Sequence, residues 1–274
     1  MITIAHGRHG HLALQETGLA GSTRAPDQRV VVAMDDPTLD GPAVVHVPTT
    51  ALGLPLARAR NVGARHALEL GADALVFLDV DCIPSPALLE TYERALSDPV
   101  TSGDLLCGPV TYLPPAPAAG YDLRTLADLG SPHAARPSPA AGEVDRGHDR
   151  YDLFWSLSFA LSAGVWRAIG GFDEAYVGYG GEDTDVARRA EAAGVAIAWV
   201  GGADAFHQHH AVSRPPVEHV ADIVRNATIF HARWGSWPMR GWLDAFVERG
   251  LVARRRDGSY VVASVLGDVL DREG

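Results

Sequence analysis

The chain has 274 residues, 47% of them hydrophobic, with a mean hydropathy near zero and a formal net charge of −11. That is apolar material for one large domain or two small ones, and the acidic balance argues against nucleic acid, which is bound by clustered cations. Lysine is absent: all 23 basic residues are arginines. This excludes a lysine-bearing P-loop and leaves the better bidentate phosphate binder.

In chain order, Ile2 to Ala5 reads as a first strand, followed by His6-Gly7-Arg8-His9-Gly10-His11 and an amphipathic run from Leu12 to Leu19 that suits a helix. Arg8, at a strand end, is placed to pair with a phosphate. The histidines at 6, 9 and 11 lack the spacing of a zinc site. Arg29 to Met34 is a valine-rich second strand ending in Asp35-Asp36-Pro37, and Ala43 to Val47 a short third. Strand, helix and strand in so short a span predict a parallel sheet of nucleotide-binding type. No Gly-x-Gly-x-x-Gly accompanies it, so a nicotinamide or flavin site is unsupported.

Leu56 to Leu70 is a helix by period, closed by Gly71, and carries Arg58, Arg60 and Asn61. The apolar run Ala74 to Leu78 is one buried strand, and Asp79-Val80-Asp81 follows it directly. Ligands of open α/β sheets sit at the carboxyl ends of strands. Side-chain alternation puts Asp79 and Asp81 on the same side. Two carboxylates held that close repel, and a hard divalent cation, magnesium or manganese, relieves the repulsion while bridging to phosphates.

Pro86 to Leu96 is predicted helical and Asp104 to Val110 a strand; Cys82 and Cys107 are expected as buried free thiols. Residues 114–150 are crowded with Pro, Ala, Gly and Ser, which predicts a mobile lid, an acceptor-side loop or a tolerated insertion. Phe154 to Leu161, including Trp155, reads as a strand and Val165 to Ile169 as a short helix. The stretch Gly178-Tyr179-Gly180-Gly181-Glu182-Asp183-Thr184-Asp185 then opens a helix to about Ala193. Its acids suit a first helical turn, and its glycines permit close backbone approach to a ligand.

Ala196 to Val200 is a buried strand, followed by Phe206-His207-Gln208-His209-His210, where a neutral imidazole can complete a metal site begun by Asp81. Pro216 to Arg233 and Met239 to Gly250 are helices around a break, Trp234-Gly235-Ser236-Trp237-Pro238, and Ser259 to Ala263 alternates like a strand. Arg254-Arg255-Arg256 allows a peripheral contact with anionic lipid. No run reaches the roughly 18 to 20 apolar residues of a bilayer span, and Met1-Ile2-Thr3-Ile4 does not open like a signal peptide. The expected location is cytoplasmic.

Together, Asp79-Val80-Asp81 after its strand, Arg60-Asn61-Val62-Gly63 before it, Gly170-Gly171-Phe172-Asp173-Glu174, and Gly-Gly-Glu-Asp at 180–183 resemble the GT-A fold glycosyltransferases. The resemblance is to the large family-two group and to animal galactosyltransferases. It implies an α/β fold, a mixed but mostly parallel sheet flanked by helices, with a C-terminal helical extension. The GT-A domain would span 1–235: a nucleotide-binding half about 1–110, the loop 114–150, and an acceptor half about 151–235. Residues 236–274 would pack against it as a helix and short strands.

The resemblance further implies a manganese (or magnesium) ion on Asp81, with His207 or, failing that, His209 completing its shell. Asp79 would contact ribose, Asp35 or Asp36 uracil, and Arg8 the diphosphate, with Arg60 and Asn61 beside them. Asp183 would be the catalytic base and Glu182 would face sugar or acceptor hydroxyls. Tyr179, Gly180, Gly181 and Trp155 would line the acceptor side. The implied partners are a UDP-sugar and a glycan, lipid-linked or small-molecule acceptor. The rival readings are a nucleotidyltransferase acting on a sugar phosphate and a non-catalytic nucleotide-sugar-binding domain.

Overall fold

The computed structural model describes residues 1–146, 150–211 and 213–263. The first half runs β1 (Ile2–Ala5), α1 (His9–Ala20), β2 (Val30–Met34), β3 (Val44–Val47), α2 (Leu56–Glu69), β4 (Ala74–Leu78), β5 (Cys82–Pro84) and α3 (Leu88–Ser97). Then come β6 (Leu105–Cys107), β7 (Val110–Tyr112), β8 (Val144–Asp145), β9 (Ser158–Ser162), α4 (Ala163–Ile169) and α5 (Glu182–Ala192). The chain continues as β10 (Ile197–Val200), β11 (Ala205–His207), α6 (Val220–Trp234), α7 (Arg240–Glu248), β12 (Val252–Arg254) and β13 (Tyr260–Val262).

Eight strands form one sheet in the order β3-β2-β1-β4-β9-β6-β10-β8. The first four are parallel, as are β6 and β10; β9 is wedged antiparallel between β4 and β6, and β8 closes the far edge antiparallel. Every residue of β2 is buried, as a strand covered on both faces requires, hence its unbroken apolar run. One face packs on α2, α4 and α5 around Phe77, Phe159, Trp166 and Trp199, with Phe77 and Phe159 stacked 4.5 Å apart. The other packs on α3 through Leu88, Leu89 and Tyr92. A smaller sheet, β5-β11-β7, stands beside the ends of β4 and β6 and pairs His207 with both Cys82 and Tyr112.

Three expectations change. The strand expected over 104–110 is two strands in two sheets, broken at Gly108-Pro109. At Gly108 a Cβ would stand 2.1 Å from the Ala203 carbonyl oxygen, so the chain turns where no side chain fits. The strand expected from Phe154 begins at Ser158, because Tyr151–Leu153 make a 3-10 turn that buries Leu153 and Phe154. The loop 114–150 carries a 3-10 turn (Leu126–Leu129), strand β8 and a buried anchor, Arg136, whose guanidinium lies 5.3 Å from the Trp155 ring centre and 4.7 Å from that of Trp199. Residues 147–149 of that loop lie outside the described residues.

The C-terminal helices share a core of Val220, Ile223, Val224, Leu243, Phe246, Val252 and Tyr260. This core spans the boundary expected at 235, so α6 packs with the extension as well as with the loop before α5. Residues 264–274 of the expected extension are outside the described part. Arg254 turns over the Tyr260 ring, 5.8 Å from its centre, toward its own hairpin. Among the described residues no helix is long and apolar enough to cross a membrane.

Candidate active site

The turn after β4 sets the first acids. The Asp79 amide donates to the Leu157 carbonyl (2.9 Å) and the Cys82 amide to the Asp79 carbonyl (2.9 Å). Gln15, fully buried in α1, accepts from Thr3 Oγ1 and clamps the turn by donating to the carbonyls of Asp79 (2.8 Å) and Cys82 (3.1 Å). Asp79 Oδ1 receives Arg60 Nη2 at 3.1 Å, and the same guanidinium donates to Glu182 Oε1 at 3.2 Å. Arg60 is only 4% exposed. It bridges the acids after β4 to the first turn of α5, and carboxylates from opposite halves of the chain meet on it. Burial pushes the Asp79 carboxyl up, partly opposed by Arg60 and reinforced by Asp81.

Asp81 is surrounded by cationic and imidazole groups. Its Oδ2 lies 2.5 Å from Arg8 Nη1, 3.4 Å from His210 Nε2 and 3.6 Å from His207 Nε2. Burial raises the Asp81 carboxyl, but His210, His207 and Arg8 outweigh it and hold it at about 2. Burial pushes the His207 imidazole down, toward the neutral form that ligates metals. One oxygen and two ring nitrogens from Asp81, His207 and His210 all lie within 4.8 Å of one another. That donor set suits a divalent transition-metal ion with open positions. His207 is where the sequence reading puts it. His209 is not in the cluster: it is exposed, and its amide donates to the Tyr121 hydroxyl at 3.2 Å. β11 ends at His207, and the turn beyond it brings His210 to Asp81 instead.

The other residues expected on the donor side separate. Asp36 accepts from the Gly7 amide (2.9 Å) and from Thr38 Oγ1 (2.6 Å), which clasps the loops after β1 and β2. The Thr38 hydroxyl, against burial, brings its carboxyl down to about 2. Asp35 is exposed, with φ of 47°; its amide donates to the Val47 carbonyl (2.9 Å), and among the described residues its carboxylate takes one hydrogen bond, from Thr49 Oγ1 at 3.3 Å. Asn61, expected beside the nucleotide, donates to the Phe172 carbonyl and Glu174 and accepts from the Phe172 amide, all at 2.9 to 3.0 Å. It ties α2 to the Gly-Gly-Phe-Asp-Glu turn.

Glu182 and Asp183 open α5. Burial, then the neighbouring Asp183 charge, pushes the Glu182 carboxyl up to about 7, and its Oε2 has no hydrogen-bond partner among the described residues. Burial raises Asp183 too, against a 2.7 Å bond from the Thr184 amide. The loop feeding them is held by α6. Asn226 Nδ2 faces the carbonyls of Val177 (3.1 Å), Tyr179 (3.3 Å) and Gly180 (2.8 Å). The glycines serve this packing: a Cβ on Gly178 would meet Asp222 Oδ2 at 2.1 Å, and one on Gly180 Met239 Sδ at 2.8 Å. Gly181, at φ 93°, caps α5 in a left-handed conformation.

Asp185 is sealed in, taking Arg233 Nη1 at 2.8 Å, Trp234 Nε1 at 2.9 Å and the Tyr176 hydroxyl at 3.3 Å. Tyr179 is 39% exposed, stacked on His219 at 4.6 Å and tilted toward Trp242 at 5.8 Å. Trp155 makes no ring contact with it among the described residues: a row of rings, His207, Tyr112, His133 and Trp155, links Trp155 to the Asp81–His207–His210 cluster at spacings of 4.7, 6.0 and 4.9 Å.

Gln15, Asp222, Asn226 and His210 were not singled out as site residues from sequence. Asn226 had a signal, since it is polar on the apolar stripe of an amphipathic helix. His210 stood in a run of candidates. Gln15 had none.

Residues 141–218 match a family model described as the N-terminal domain of galactosyltransferase. Two validoxylamine A glucosyltransferases, from Streptomyces hygroscopicus subspecies limoneus and jinggangensis, are 30% and 29% identical over 204 residues. Those matches cover 65% of this chain and 44% and 47% of the relatives, so the chain spans about half their length. Among solved structures, GalNAc-T7 with UDP, GalNAc and Mn2+ superposes with a TM-score of 0.54 at 15% identity, covering 90% of this chain and 53% of that one. S. aureus TarS 1-349 with UDP-GlcNAc gives 0.53 at 11% identity, covering 90% and 79%. These likenesses, with the strand order and flanking helices described above, show that the chain has the GT-A glycosyltransferase fold.

Proposed function

We propose that the chain is a metal-dependent inverting glycosyltransferase that moves a hexosyl group (glucose, galactose or an N-acetylhexosamine) from a UDP-sugar to an acceptor hydroxyl. The observation that carries this reading is the Arg60 bridge, with Asp79 on one side and Glu182 on the other. It ties the acid expected on the donor side to one expected on the catalytic side through a single buried guanidinium. The relatives named as glucosyltransferases favour glucose, and the neighbours solved with UDP or UDP-GlcNAc favour a uridine donor.

Asp81, His207 and His210 would hold the cation, and two imidazoles beside one carboxylate favour Mn2+ over Mg2+, which prefers oxygen ligands. When bound, that cation neutralises the charge developing on the departing diphosphate. The chain's own groups do the rest. Asp79, steadied by Arg60, accepts from the ribose; Arg8 turns to the diphosphate; Asp35, exposed at the end of β2, is the better placed of the two acids for uracil.

Asp183 takes the proton of the acceptor hydroxyl. The acceptor oxygen bonds to the anomeric carbon on the face opposite the diphosphate. The bond to the diphosphate oxygen breaks, its electron pair leaves with UDP, and the configuration inverts. A positioned base contributes about 10²- to 10⁴-fold in such a step. Glu182 hydrogen-bonds sugar or acceptor hydroxyls, and Tyr179 flanks the acceptor.

The test is incubation with UDP-glucose, UDP-galactose and UDP-N-acetylhexosamines with and without Mn2+. The expected result is slow, metal-dependent UDP release and thermal stabilisation by the preferred donor. No release and no stabilisation by any of them overturns the reading. Pyrophosphate release from UTP and a hexose 1-phosphate, with no UDP released from the UDP-sugars, assigns the site to nucleotidyl transfer.

A further inference from the structure

Asp81 Oδ2 is the atom on which the cation site is built, and Arg8 Nη1 stands 2.5 Å from it. A divalent ion ligated there would sit about 2.0 to 2.3 Å from the same oxygen. The ion and the guanidinium compete for one place. We infer that Arg8 is a displaceable occupant of the cation site, so that a divalent metal and a nucleoside diphosphate bind this chain as a mutually dependent pair. The inference rests on the donor class proposed above.

Two features make Arg8 free to leave. Its side chain is 39% exposed, and Asp81 is its one side-chain hydrogen-bond partner among the described residues. It sits between Gly7, where an added Cβ would meet nothing within 4 Å, and the start of α1. Arg60 on Asp79 is the contrast: it is 5% exposed at the side chain and fastened at both ends, to Asp79 and Glu182.

The energetics then couple the two ligands. A metal arriving alone must break the Arg8–Asp81 pair and leave a guanidinium beside a dication. Like charges that close repel near a protein surface, the more so where water is partly excluded. A diphosphate removes that cost, because it accepts the released Arg8 and ligates the metal. Diphosphate arriving alone finds Arg8 already engaged. By linkage, the factor by which UDP tightens the metal equals the factor by which the metal tightens UDP.

The experiment counts free Mn2+ by electron paramagnetic resonance on the whole chain, with and without UDP, with no turnover involved. UDP affinity is measured by calorimetry with and without Mn2+. In the wild type each ligand should tighten the other by about tenfold or more, within the usual range of coupling. Arg8→Gln should bind Mn2+ alone about fivefold tighter than wild type and show coupling of about threefold or less. Arg8→Lys, which keeps the charge, should restore the weak metal-only binding. The inference is overturned if Arg8→Gln binds Mn2+ alone no tighter than wild type, or keeps the full coupling. If wild type fails to bind Mn2+ even with UDP, the proposed donor class falls and this inference with it.

Discussion

The chain contains two Asp-x-Asp triplets, Asp79-Val80-Asp81 and Asp183-Thr184-Asp185, and they end in aspartates with opposite employment. Asp81 lies at a mouth, against an exposed arginine and two imidazoles that can all exchange partners. Asp185 has 0% exposure and is closed off by Arg233, Trp234 and Tyr176. Burial alone does not separate them, since Asp81 is buried as well. The partners do. An acid whose contacts are loose and cationic is ready for a ligand; one fastened by an indole, a phenol and a guanidinium joins two helices.

Substitutions can break this contrast. The largest effect is expected for Asp81→Ala: Mn2+ binding is lost and turnover falls by about 10³-fold or more, while the melting temperature moves by about 2 °C or less, because Arg8 is left in solvent. A large drop in melting temperature would make Asp81 a structural acid after all.

Asp185→Ala is the mirror case. Removing it orphans buried donors and should cost about 3 to 5 kcal/mol, seen as a fall of roughly 6 to 15 °C in melting temperature. An unchanged transition would show that the α5–α6 joint does not need it.

Asp183→Asn, between the two, should keep UDP-sugar binding and lose about a hundredfold in turnover. Near-normal turnover removes Asp183 from the base role.

The smallest effect is a pH dependence. Glu182 is raised to about 7 from the ordinary 4.5 by burial. The stability this confers is present below the ordinary value and lost as pH rises through the raised one. Glu182→Gln mimics the protonated form, so it should melt like wild type near pH 5. Near pH 8 it should melt about 2 to 4 °C higher. A gap that stays flat with pH would mean that Glu182 ionises freely.

Much of the fold was legible because buried parallel strands leave unbroken apolar runs. β1, β2, β3 and β4 lie within a residue of where composition put them, and the acids after β4 stand at its carboxyl end as expected. What sequence could not carry depends on where the chain goes next. His209 and His210 are adjacent and chemically identical; only the turn after β11 selects between them. The glycines of 178–181 read as room for a ligand, yet the atoms that fill that room belong to Asp222 and Met239, more than forty residues on. Asn61 looked like a donor contact for the same reason, since its partners, Phe172 and Glu174, are distant in sequence.

The small sheet has one more consequence. His207 is in register with Cys82, and the Gln208 amide donates to the Asp81 carbonyl at 2.8 Å. A backbone ladder thus acts as a fixed gauge between Asp81 and His207, two of the three candidate ligands, and would not widen to suit an ion of another radius. His210, three residues past the ladder's end, is the adjustable jaw. Tolerance for different ions would therefore be tuned by altering the bend at residues 208–211, with Asp81 left as it is.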